Sequence, residues 1–196
     1  MGIHFYVFVD DFLVVGDDEA LTMKGCEMLE EELKARGISW APHKHRGPAK
    51  CMEFLGLLIS NAPGHRCVAL SEKRQKKLRA QIDEWRSREP SRVGIGAAPV
   101  TVDAKELASF LGHLIFCAQV VPHGRVYMMS MLSQFSGLVV DWRRGEVRPA
   151  KGSGAWTKGV TLQPGFWRDL SWWHERFESQ NCTPLDAPSR GEVALC

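Results

Sequence analysis

The sequence has no apolar run near the roughly eighteen residues that span a bilayer, so it offers no candidate membrane helix. Its opening, Met1-Gly2-Ile3-His4-Phe5-Tyr6-Val7, lacks the basic start and small-residue cleavage site of a signal peptide. An intracellular protein, cytoplasmic or nuclear, is expected. There is no Cys-x-x-Cys pair, and the six cysteines, at 26, 51, 67, 117, 182 and 196, lie mostly within apolar periodic segments. A reduced thiol packs there as a small hydrophobe, which argues against a disulfide framework. His43 and His45 with Cys51 and Cys67 fit no zinc-finger spacing. Internal repeats and low-complexity tracts are absent as well.

Net charge is nearly absent too, at +2, but the charges are unevenly placed. Residues 1 to 35 carry nine acids and two bases, whereas residues 36 to 92 carry thirteen Lys or Arg and five acids. The first segment suits cations and the second suits phosphates, unless both are ordinary solvated faces. With 44% hydrophobic residues in 196, the chain can bury a core of one large or two small domains.

The pattern along the chain is two β-hairpins around a helix, then helices only, which is an α+β arrangement. Aromatic and β-branched residues from His4 to Val9 and from Phe12 to Val15 read as a hairpin with both strands largely buried. Asp17 and Asp18 precede a helix over about 19 to 35, with Leu21, Met28 or Leu29, and Leu33 on one face and Gly37 as its stop. Residues 38 to 40 read as a short strand, and Pro42 to Pro48 as a basic loop. Cys51 to Ser60 reads as one apolar strand that turns at Asn61-Ala62-Pro63-Gly64 and returns over Cys67 to Leu70.

From Ser71, an N-cap candidate, a helix carries Leu78, Ile82 and Trp85 at spacings of four and three as far as Pro90. Residues 91 to 102 form a linker. A capping box, Asp103 with Glu106, opens the next helix, whose stripe includes Leu107, Phe110, Leu111 and Leu114. Pro122-His123-Gly124 turns the chain into a helix over Arg125 to Phe135. Residues 145 to 163 read as a long polar loop, and Pro164 opens a last helix with Phe166, Leu170, Trp173 and Phe177 on one side. Tryptophans can stack on bases, but Trp85 and Trp173 sit on helix stripes and read as core.

Two adjacent aspartates, Asp10 and Asp11, at the tip of an apolar hairpin aim carboxylate oxygen into the cleft that the hairpin faces, and hard divalent cations take such donors. The alternative is a plain turn, for which Asp is a favoured residue.

Phe8-Val9-Asp10-Asp11, between Tyr6-Val7 and Phe12-Leu13-Val14-Val15-Gly16, resembles the Tyr/Phe-x-Asp-Asp hairpin of reverse transcriptases. The next helix, Gly37, the lysine-bearing loop at Lys44 and the segment Glu53-Phe54-Leu55-Gly56-Leu57-Leu58-Ile59 follow in that family's order. Glu106-Leu107-Ala108-Ser109-Phe110-Leu111-Gly112-His113-Leu114, Val121-Pro122-His123-Gly124-Arg125 and Trp172-Trp173 are most similar to DIRS-like retrotransposons. The resemblance covers about residues 4 to 178.

It implies a partial polymerase palm over residues 1–70, a helical thumb and connection over 71–179, and a linker over 180–196 toward a ribonuclease H-like domain. The implied chemistry is two-metal nucleotidyl transfer with Mg²⁺, on an RNA template and DNA primer. Asp10 and Asp11 would be metal ligands, and Lys44 would meet the departing phosphates unless it is merely a solvated loop lysine. Phe54, Leu55 and Gly56 would place the primer backbone, or else form an ordinary strand. Lys73, Arg74, Lys76, Lys77 and Arg79 would follow phosphates, or else form a solvated helix face.

The family also uses an aspartate from an earlier strand. Only nine residues precede Asp10 and none is acidic. Weak Mg²⁺ affinity and no polymerisation by this chain alone are therefore expected, as for a segment of a longer enzyme or a retained binding module. The first hairpin, lacking a sheet neighbour, is expected to leave an apolar edge open to self-association.

Overall fold

The computed structural model describes residues 2–39, 45–90 and 99–185. Among these residues it is an α+β structure of short antiparallel sheets and five α-helices. Among the described residues no helix is long and apolar enough to cross a membrane.

The chain opens with β1 (Ile3–Phe8) and β2 (Asp11–Gly16), paired antiparallel with Phe8 opposite Asp11, so Val9 and Asp10 make the turn. Such two-residue turns demand left-handed backbone, and Val9 supplies it at φ 57°. Helix α1 (Glu19–Ala35) follows. Asp18 caps it by accepting from the Leu21 amide at 2.8 Å, and Gly37, at φ 72°, stops it. The helix lies against the hairpin through buried Gly25, where a Cβ would come within 2.6 Å of Ile3 and 2.7 Å of Val14.

That single layer leaves much of the hairpin in solvent, contrary to the expectation of largely buried strands. Tyr6, Val7, Phe8 and Val9 are exposed, and among the described residues this sheet has two strands. Tyr6 and Phe8 lie on the face away from α1, and on the other face α1 meets Ile3 and Phe5 but leaves Val7, nearer the tip, in solvent.

The second sheet has the order β10–β5–β4–β3, from β3 (Cys51–Phe54), β4 (Leu57–Ala62), β5 (His65–Leu70) and β10 (Thr183–Pro184). The run expected as one strand is therefore two, folded back at Leu55 (φ 52°) and Gly56 (φ 78°). Apolar periodicity hid this turn, because one of its two residues is a leucine. The expected linker beyond residue 180 also adds a strand, with Thr183 opposite Val68.

The main core lies further along the chain, where α2 (Glu72–Arg86), α3 (Ala104–Cys117) and α5 (Pro164–Arg176) meet. Leu78, Ile82, Leu107, Leu114, Phe166, Leu170 and Trp173 are fully buried. Trp85 stacks on Phe110 at 5.0 Å and meets Phe166 at 5.6 Å. Ser71 stands at the N-cap of α2, but its hydroxyl makes no cap bond and is buried without a partner. Asp103 caps α3 through the Lys105 and Glu106 amides, while the Glu106 carboxylate turns to Arg88 rather than back into a capping box.

The helix expected over 125–135 is broken. Only α4 (Met129–Leu132) is α-helical, with tight 3₁₀ turns on either side and a kink at Tyr127. Bonds from α5 hold this shape: buried Asp169 accepts from the Ser130 amide at 2.9 Å, and the Trp173 indole donates to the Tyr127 carbonyl at 3.1 Å. Nor does the remainder consist of helices and loop alone. β6 (Thr101–Asp103) pairs with β9 (Gly159–Thr161), and β7 (Leu138–Asp141) with β8 (Glu146–Pro149). Strands of three or four residues are too short to display alternation.

Candidate nucleic-acid interface

An open cleft of about 1240 Å³ separates the β1–β2 hairpin and α1 from the β3–β4 hairpin and the start of α2. Its lining brings together Asp10, Asp11, Phe54, Leu55, Gly56 and Lys73, residues far apart in sequence. Asp10 sits in the hairpin turn and Asp11 at the first position of β2, so both carboxylates project at the cleft mouth and are exposed. Arg46, Lys50 and Glu53 line the same space, and composition alone does not single them out.

Two adjacent carboxylates suit one Mg²⁺ held jointly with substrate phosphates and water, the usual way that ion is bound. Among the described residues no cluster of three or more His, Cys, Asp or Glu is placed to hold a metal ion. The donor set fits shared coordination with a phosphate, and falls short of a self-contained two-ion site.

The five cations of α2 have different surroundings. Lys73 is exposed and lines the cleft, and Lys77 is exposed. Lys76 is also exposed and pairs with Glu72 at 2.6 Å, a bond that lowers the Glu72 carboxyl from its ordinary pKa. Arg74 turns inward: its guanidinium crosses Gly56 and lies 4.2 Å from the Phe116 ring centroid. Arg79 reaches α5, donating to the His174 carbonyl at 2.9 Å and pairing with Glu178 at 2.8 Å, over the ring of Phe177. The hydrogen bond from Arg79 to Glu178 holds the Glu178 carboxyl below its usual range. Lys44 lies outside the described residues.

On α3, His113 faces α2, with Nδ1 hydrogen-bonded to the Gln81 side-chain oxygen and Nε2 buried without a partner. Its pKa is lowered, first by burial and then by the nearby charges of Lys77 and Arg74. Neither this pairing nor the Arg74–Phe116 contact is visible in the sequence, because each joins helices that only the fold sets side by side.

Compared with known proteins, the chain matches no family model, no curated protein and no solved structure.

Proposed function

We propose that this chain is a segment of an RNA-directed DNA polymerase, in which the Asp10–Asp11 turn faces a nucleic-acid cleft. The supporting observation is that the turn shares one cleft with Phe54, Leu55, Gly56 and Lys73, the residues expected to meet the primer. In this reading β1, β2, α1 and the β3–β5 sheet are part of a palm, and the helical remainder is thumb and connection.

Asp10 and Asp11 would hold Mg²⁺ against nucleotide phosphates, where the ion supplies activation of the primer hydroxyl and neutralises charge on the leaving pyrophosphate. The chain's own work is positional. Leu55 and Gly56 form the β3–β4 turn at the cleft wall, and the Arg74 guanidinium that crosses Gly56 braces that turn where a sugar-phosphate strand would pass. Lys73, from the first turn of α2, offers a cation to the same strand, and Lys77 continues the charge along the helix.

A third carboxylate, as the family resemblance requires, would come from outside the described residues, and the isolated chain is expected to bind a primer–template duplex without extending it. The second reading is a non-catalytic nucleic-acid-binding module. It is favoured by the exposure of Lys73 and Lys77, which attract phosphates without any metal.

Primer extension on an RNA template and Mg²⁺-dependent primer–template binding, each beside Asp10→Asn, separate the two. Extension lost in Asp10→Asn would establish activity in the chain itself and overturn the expected inactivity. Binding that survives Asp10→Asn and weakens with salt would favour the module. Absence of binding at low salt would remove both readings.

A further inference from the structure

On the β7–β8 side of the molecule, the segment expected as a polar loop forms a small platform. Val139 of β7 pairs with Arg148 of β8, and the bridge between Val147 and Thr157 sets Trp156 beside Arg148. These residues share a face, with the Arg148 guanidinium 5.1 Å from the Trp156 ring centroid. The opposite face carries buried Val147 together with Leu138 and Val140, which pack toward the core. The Trp156 face stays open: Trp156 is 42% and Val139 39% exposed. At the hairpin tip Trp142 is 57% exposed, its ring leaning on Phe135 at 5.8 Å.

Two exposed tryptophans on one short stretch mark a contact surface, since indoles are large apolar groups that a protein ordinarily buries. The surrounding charge indicates the partner. Residues 138 to 163 include Arg143, Arg144, Arg148, Lys151 and Lys158 against only Asp141 and Glu146. Both acids are already engaged: Arg144 lies 4.0 Å from Asp141 and 3.9 Å from Glu146, and Asp141 also accepts from the Arg143 and Arg144 amides. Arg143, Lys151 and Lys158 are exposed and have no acidic partner among the described residues. Lys105 adds a cation nearby, its ammonium donating to the Arg143 carbonyl at 3.1 Å.

We infer that this platform is a contact for single-stranded nucleic acid, separate from the cleft, with a base stacking on Trp156 while Arg143, Lys151 and Lys158 follow the phosphates. Open aromatic faces with flanking cations are what a sequence-tolerant single-strand site requires. A duplex keeps its base faces stacked and offers the indole little. Tryptophan and arginine also serve protein interfaces, but a surface with five bases and no free carboxylate favours a polyanion. The inference rests on the nucleic-acid reading of the chain and adds a second site to it.

The test uses the full chain and fluorescence anisotropy with a short labelled single-stranded oligonucleotide and its duplex. Removal of one stacking ring, Trp156→Ala, is expected to weaken single-strand binding about tenfold, within the range for loss of one base–aromatic stack. Trp156→Phe should retain most of the affinity. Arg143→Glu alters an exposed, unpaired side chain, so its expected weakening, with a shallower salt dependence, would not come from unfolding. Duplex binding should respond less to all three.

Lys73→Glu in the cleft separates the two sites. If Lys73→Glu abolished binding while Trp156→Ala and Arg143→Glu bound the single strand as wild type does, the platform assignment would fall and the cleft reading would stand. Single-strand loss confined to the platform variants, with duplex binding lost in Lys73→Glu, would support both sites, whereas duplex binding unchanged in Lys73→Glu would remove the cleft. If the wild-type chain bound neither probe, both would fall.

Discussion

Arg74 and Gly56 occupy complementary space: a Cβ built on Gly56 would fall 1.9 Å from the Arg74 Nε. The missing side chain lets the guanidinium cross the β3–β4 turn and reach Phe116 at 4.2 Å, tying the cleft wall to both α2 and α3. The Ser71 amide adds a bond to the Gly56 carbonyl at 3.3 Å.

Gly56→Ala is therefore expected to cost about 1–3 kcal/mol, from left-handed strain at φ 78° together with displacement of Arg74. Arg74→Ala is expected to cost about 0.5–2 kcal/mol, the usual worth of a cation–π contact. Urea unfolding of both single variants and the double variant measures the coupling. If the two share this contact, the combined cost is less than the sum. Strict additivity would mean that the guanidinium does not depend on the glycine.

Val9 places a β-branched side chain at φ 57°, where its Cβ crowds the backbone. Val9→Gly should remove about 1–3 kcal/mol of strain and return about 0.5–1 kcal/mol through the freer unfolded chain. A net gain on the order of 1 kcal/mol raises the melting temperature by about 2–4 °C in a chain of this size. Calorimetry checks it, and an unchanged or lower melting temperature would show the turn to be unstrained. Val9 sits beside Asp10, so the same variant also asks whether the strain positions that carboxylate.

The helices were legible where local signals agreed. For α1, Asp18, the stripe through Leu29 and Leu33, and Gly37 all point to the same bounds, and the structure has them. For α5, Pro164 and the stripe of Phe166, Leu170, Trp173 and Phe177 do likewise. What escaped the sequence is non-local. The exposure of Tyr6 to Val9 depends on how many layers cover the hairpin, the break at Leu55–Gly56 lies inside an unbroken apolar run, and β7 to β9 are too short to show a period.

The candidate site divides in the same way. Asp10 and Asp11 and Phe54 to Gly56 stood out as motifs and line one cleft, but the inward turn of Arg74 and Arg79 depends on Phe116 of α3 and on Phe177 and Glu178 just beyond α5.

His113 makes stability pH-dependent in a definite direction. Burial and the cations Lys77 and Arg74 depress its pKa in the folded chain, and a proton on Nε2 would meet no acceptor. Below the ordinary imidazole value of about 6.5 the unfolded chain binds more protons than the folded one, so stability is fully present above that pH. It is lost as pH falls through the lowered folded value. Denaturant midpoints measured from pH 7.5 to 5 should decline, and His113→Gln should flatten that part of the profile. An equal decline in the variant would assign the effect to other groups.

The open hairpin carries the last expectation. Tyr6, Val7, Phe8 and Val9 form a contiguous exposed apolar stretch, and the β1–β2 sheet has no third strand among the described residues. Unpaired strand edges with apolar side chains template pairing with another chain, and charges placed on them suppress it. Light scattering of the purified chain should give a mass above that of the monomer, rising with concentration. Tyr6→Lys together with Phe8→Lys, two substitutions on the same face of β1, should shift the population to monomer without lowering the melting temperature, because neither side chain lies in the helical core. A wild-type chain that stays monomeric at high concentration would show that the hairpin is shielded and would remove self-association as its fate.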